Sequence, residues 1–153
     1  MKHAWGLLVF VAACGTSGEP MKGDIMYTYG TDHPKMVVGA AVQDTQTPGQ
    51  MLVQLGDDNV DCSTNFGKLV LIGGPSGTFV YFSVDATTPA THDNTFISAQ
   101  RTTGTHTGIN ESSGTVVIDS IDTRVMGSLT FSTTDQDVGP IMVSGNFDVK
   151  KCF

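Results

Sequence analysis

The stretch TVVIDSIDTRVMGSLTFSTTDQDVGPIMVSGNFDVK, running from Thr115 to Lys150, decides the fold class. Within Arg124–Ser132, Val125, Gly127, Leu129 and Phe131 fall on one side, with Met126, Ser128 and Thr130 on the other. Ile141–Lys150 repeats the arrangement, setting Ile141, Val143, Gly145, Phe147 and Val149 against Met142, Ser144, Asn146 and Asp148. In Thr115–Ile121, Val116 and Ile118 oppose Val117, Asp119 and Ile121. A period of two is the signature of a strand with one buried face. The two later segments both read apolar-x-Gly-x-apolar-x-apolar, which places Gly127 and Gly145 on the inward face. A missing side chain there permits a bend, a bulge or an aromatic ring from a neighbouring strand. These features predict an antiparallel meander from Thr115 to Lys150, with Asp119–Thr123 as its first turn region.

The same period extends upstream. Candidate strands are Asp24–Tyr29, Lys35–Gln43, Gln50–Leu55, Lys68–Ile72, Thr78–Val84 and Thr95–Arg101. Turn chemistry separates them, as in Gly30-Thr31-Asp32, Thr47-Pro48-Gly49, Gly56-Asp57-Asp58-Asn59 and Gly73-Gly74-Pro75-Ser76-Gly77. A helical period is almost nowhere found. Many short strands with Gly, Pro and Asp punctuation predict one all-β domain over residues 24–153. Its architecture is an antiparallel β-sandwich or a small barrel that ends in the meander. The polar stretches Asp85–Asn94 and Thr102–Gly114 read as loops.

Composition agrees and narrows the partners. Charged residues are only 15% of the 153-residue chain, a poor supply for long surface helices. The formal charge is −7. An acidic surface repels phosphate backbones, so nucleic acid is not expected as a partner.

The N-terminus carries an address. Met1-Lys2-His3 gives a short positive start, and Ala4–Ala13 is an uncharged apolar run. Ten helical residues rise only about 15 Å, roughly half a bilayer core, so this run suits an export signal and not a stable span. It ends in Val11-Ala12-Ala13-Cys14, an aliphatic residue, two small ones and a cysteine. This resembles the lipobox of bacterial lipoprotein precursors. The resemblance implies a signal peptide over 1–13, acylation at Cys14, and a membrane as partner through the lipid. Residues 14–23, beginning Cys14-Gly15-Thr16-Ser17-Gly18-Glu19-Pro20, have a flexible tether's composition. Gly15 stands where some Gram-negative bacteria place an aspartate to retain a lipoprotein in the inner membrane, so the outer membrane is the favoured destination. The alternative is an ordinary signal peptide with a cysteine near its cleavage site.

The domain itself resembles small lipoproteins of myxobacteria and related groups. The match runs from about Gly114 to Cys152, with a weaker echo in Gly77-Thr78-Phe79 and in Cys62. It implies an all-β fold in the cell envelope and supplies no active site.

With Cys14 acylated, Cys62 and Cys152 remain as an even pair in an oxidising compartment, the arithmetic of one disulfide. Two separate buried thiols are the alternative. No His or Cys stands at a ligand spacing from either, which disfavours metal binding by the pair.

Other candidate chemistry is thin. His33, His92 and His106 are scattered singly among turn residues. Asp57, Asp58 and Asp61 cluster before Cys62, but they lack the alternation and the closing glutamate of a calcium loop. Asp119 and Asp122 invite a paired-carboxylate reading, yet they flank an expected turn, where Asp is an ordinary turn former. Gly73-Gly74-Pro75-Ser76-Gly77 lacks the Lys-Ser/Thr ending of a phosphate loop, and no Gly-x-Ser-x-Gly elbow exists. No cofactor, metal site or catalytic residue is therefore expected. The reading is a membrane-anchored, non-enzymatic domain that binds or contacts another envelope component. Its rival is a small extracytoplasmic hydrolase with its site in the loops 85–94 and 102–114.

Overall fold

The computed structural model describes residues 19–58, 60–63, 77–103 and 106–153. Cys14, the signal and the candidate strand Lys68–Ile72 lie outside them. Nine strands are described: β1 (Lys22–Gly23), β2 (Met26–Tyr29), β3 (Val38–Gln43), β4 (Gln50–Gly56), β5 (Gly77–Asp85), β6 (Thr91–Thr103), β7 (His106–Ile121), β8 (Arg124–Asp135) and β9 (Gly139–Lys151). They make an all-β fold built on a seven-stranded closed barrel. The order β9-β3-β4-β5-β6-β7-β8 returns to β9, and β1 and β2 are added along β9.

Most neighbours are antiparallel hairpin partners, as the alternation and turns require. Closure is the exception, because β3 meets β9 in parallel through Ala40↔Lys150 and Ala41↔Lys151. The barrel is therefore mixed, a correction to the purely antiparallel expectation. β9 carries this contact because its outer edge is shared in turn by β2, β1 and β3. Tyr27 pairs with Val143, Lys22 with Asp148, and the chain then crosses to β3.

The meander of β7, β8 and β9 forms as its period demands. β8 and β9 pair continuously from Arg124↔Lys150 to Asp135↔Gly139. The expected inward set is buried: Val125, Leu129, Phe131, Ile141, Val143, Phe147 and Val149 are each at most 2% exposed. A Cβ at Gly127 would stand 3.0 Å from Cζ of Phe147, so the glycine makes room for that ring. Phe147 in turn meets Phe82 with ring centroids 5.7 Å apart, inside the usual range for aromatic pairs. Gly145 adopts φ +127°, a conformation side chains resist, and allows the break between β1 and β2 at Asp24 and Ile25.

Two features depart from the sequence reading. Half of 85–94 and most of 102–114 are strand, since β6 begins at Thr91 and β7 at His106. β6 is paired on both sides, with β5 over Ile97–Thr102 and with β7, whereas β7 before Thr115 pairs with β6 alone. No residue over 107–114 is buried, so Thr, Ser, Asn and Gly suffice in that part of β7, and no apolar alternation marks it. The second feature is a small outer layer. Val38, Ala40 and Phe79 are buried outside the barrel under Val60, with Tyr81 and Cys152 packed against them. β5 is consequently covered on both faces, with Phe79 and Val80 each 0% exposed.

Candidate functional site

A cavity of about 470 Å³ opens on the outer faces of β4, β5 and β6. Its floor is Leu52, Tyr81 and Ser83, and its rim is Asp44, Asp85, His92, Asp93, Thr95 and Phe96. Two turns and a bulge place the polar groups.

Asp44 directly follows β3 and folds the next loop, its Oδ1 accepting the amides of Gln46 (2.8 Å) and Thr47 (3.2 Å). That leaves Oδ2 to accept the hydroxyl of Ser83 at 2.8 Å. Asp85 ends β5 in the same manner, accepting the amides of Thr87 (2.7 Å) and Thr88 (3.2 Å) and the Thr87 hydroxyl. The Thr87 hydroxyl bond, more than the backbone bonds or the neighbouring His92, holds this carboxyl below its ordinary range.

A bulge in β6 supplies the rest. The register with β7 shifts between His92 and Thr95, and Asn94 takes a left-handed φ of 57°. The Thr95 hydroxyl donates to the carbonyl of His92 at 3.0 Å, and Asp93 accepts Thr115 Oγ1 at 3.1 Å. His92 and Asp93 thereby both border the cavity. Nε2 of His92 is buried and bonded to no described protein group. Phe96 stands 58% exposed at the rim, while Tyr81 is half-buried and its hydroxyl pushed up in pKa, chiefly by desolvation.

Among the described residues the lining holds three carboxylates and no Lys or Arg. Each carboxylate already accepts hydrogen bonds from a turn or a hydroxyl. Ser83 donates to Asp44 directly, with no imidazole between them. The arrangement therefore presents negative charge and an aromatic face around a preformed space, the chemistry that receives a cation.

The other residues singled out in the sequence fall elsewhere. Cys62 and Cys152 form a disulfide with Cα atoms 5.4 Å apart, tying the segment after β4 to the end of β9. Such a bond belongs to an oxidising, extracytoplasmic environment. His33 sits far along the chain from His92, with its Nδ1 3.3 Å from Thr28 Oγ1, and the side chain of His106 lies outside the description. Asp57 accepts the amide of Thr78, and Asp61 accepts Ser63, so neither is set toward a common ion. Among the described residues no group of three His, Cys, Asp or Glu could hold a metal. Asp122 sits in the β7–β8 turn and accepts Ser120. Asp44, Ser83 and Phe96 went unread in the sequence because they come from three separate strands or turns and share no motif.

No protein family, curated protein or solved structure matches the chain.

Proposed function

We propose that this protein is an extracytoplasmic lipoprotein, anchored through Cys14, whose barrel is a non-enzymatic binding domain for a small organic cation. The ligand assignment rests on one observation, the cavity lined by Asp44, Asp85, Asp93 and the exposed ring of Phe96, with no Lys or Arg among the described lining residues. Anchoring is supported by Val11-Ala12-Ala13-Cys14 after an apolar run, and by the pairing of the two remaining cysteines with each other. Gly15 after the cysteine favours the outer membrane.

The test is direct. Spermidine and choline, titrated into the purified protein, should shift the amide signals of Asp44, His92 and Phe96 saturably. Asp44→Asn and Phe96→Ala should each weaken binding several-fold. Indifference to both cations, or binding untouched by both variants, refutes the assignment. For the anchor, the N-terminal peptide should begin at Cys14 and carry a diacylglyceryl mass, and Cys14→Ser should leave the precursor uncut or release it.

A second reading has its own observation, since Ser83, Asp44 and His92 border one cavity. It would make the protein a small hydrolase. Ester turnover lost in both Ser83→Ala and His92→Ala would establish it over the binding reading.

A further inference from the structure

The outer wall formed by β8, β9, β1 and β2 differs from the rest of the surface. Its outward side chains lie in register: Met126 beside Asp148 and Lys22, Thr130 beside Ser144 and Met26, and Ser132 beside Met142 and Thr28. Lys35 bridges to Met26 on the far side, and Val37 follows two residues on. Met26, Val37, Met126 and Met142 are between 45% and 69% exposed, and they are four of the seven large apolar side chains exposed among the described residues. A groove of about 480 Å³ runs through this wall between residues 23–28 and 33–37, and Met26, Met36 and Val37 line it.

Among the described residues the outward charges of this wall also balance, in an acidic protein. Lys22, Lys35, Arg124 and Lys150 stand against Glu19, Asp24, Asp148 and, at the β7 border, Asp119. Arg124 is paired with Asp148, and Lys150 with Glu19 at 2.6 Å. The whole chain, by contrast, carries −7.

The chain leaves the described structure on this wall. Glu19 is held by Lys150, by the amide of Gly39 donating to its carbonyl, and by its own amide donating to Val60. Four residues lie between it and Cys14, and the five steps of chain reach no further than about 18 Å whatever their shape. We infer that this wall is a docking face for the lipid bilayer, and that Met26, Val37, Met126 and Met142 seat in the headgroup–acyl boundary. The inference rests on the anchoring proposed above. A lipid at Cys14 keeps Glu19 within a short distance of the bilayer. The wall beside it is the face that pairs exposed apolar groups with no excess negative charge.

The full mature protein, placed in phosphatidylcholine nanodiscs with its methionine methyls labelled, tests this. A nitroxide on the lipid headgroups should erase most of the Met26, Met126 and Met142 signal. It should spare Met51, which is buried in β4. Met26→Glu with Met142→Glu, both exposed positions, should restore the Met126 signal without changing the melting temperature. If the N-terminal peptide carries its lipid but these three signals persist, the docking face is wrong and the anchor stands. If they persist with lipid nitroxide but vanish with nitroxide on a second copy, the wall is a self-association surface and the inference is overturned. A Cys14 without lipid overturns both.

Discussion

Gly127 shows how far a single residue can be read. Its place on the inward face of a period-two segment is visible in the sequence, and so is the expectation of a ring over it. Which ring is not visible, because Phe147 arrives from another strand. A methyl at Gly127 would press on that ring and on the carbonyl of Val117. Gly127→Ala should cost about 1–3 kcal/mol of stability in urea unfolding, while Ser128→Ala beside it should change stability by no more than about 0.5 kcal/mol. Tyr27 makes a second case. It is 1% exposed, and its hydroxyl is bonded to no described protein group. Burial, more than the neighbouring Tyr29, raises its pKa above the ordinary 10.0. Above that pH the unfolded chain sheds a proton that the folded chain keeps, so stability intact below it falls as pH climbs. Tyr29 and Tyr81, also raised, act in the same direction. Urea titrations at about pH 8 and about pH 11 should show this loss, and Tyr27→Phe should reduce it. Neither the burial of Tyr27 nor its orphaned hydroxyl could be read from Tyr27-Thr28-Tyr29, where both tyrosines share one face of the strand.

At the scale of elements, the segments with one wet and one dry face were legible and the others were not. β8 and β9 alternate because the core lies on one side only. β7 before Thr115 pairs with β6 alone and buries nothing over 107–114, so no periodic demand falls on it. β6, paired on both sides, buries Ser98 and Gln100 beside Ile97 and Ala99. Arg101 there is held by Asp32 at 2.8 Å and lies over Tyr29 at 5.5 Å, contacts across about seventy residues that no local pattern signals. The candidate site is built from such pieces. His92 was visible as a lone histidine, but the bulge that turns it toward Asp44 and Ser83 is set by the register with β7. The disulfide was legible through counting alone, given one cysteine spent on lipid. It joins residues 90 apart, for which loop-closure entropy gives about 4–5 kcal/mol. Cys62→Ser with Cys152→Ser should therefore lower stability by a few kcal/mol. Amide exchange should rise first at 60–63 and 149–152, and last in the β7–β8 hairpin.

Over the whole molecule, the cavity and the methionine wall lie on opposite sides. β5 and β6 are each three strands from β9 around the barrel, one in either direction. A bilayer against β9 would leave the cavity facing away from it, open to whatever diffuses past. This opposition is a property of closure, and closure depends on β9, which pairs with β8, β1, β2 and β3. A chain stopped before Gly139 should accordingly show no cooperative thermal transition, although it retains six of the seven barrel strands. β9 also imposes an order in time. β1, β2 and β3 are made first and have no closing partner until more than a hundred residues later, so their pairing with β9 is a long-range step and a slow one. A chain threaded through a membrane from its N-terminus would be acylated at Cys14 while the strand that completes the barrel was still on the other side. The protein would then be tethered before it is folded, and it would finish folding at the lipid surface with its apolar strands exposed until β9 arrives.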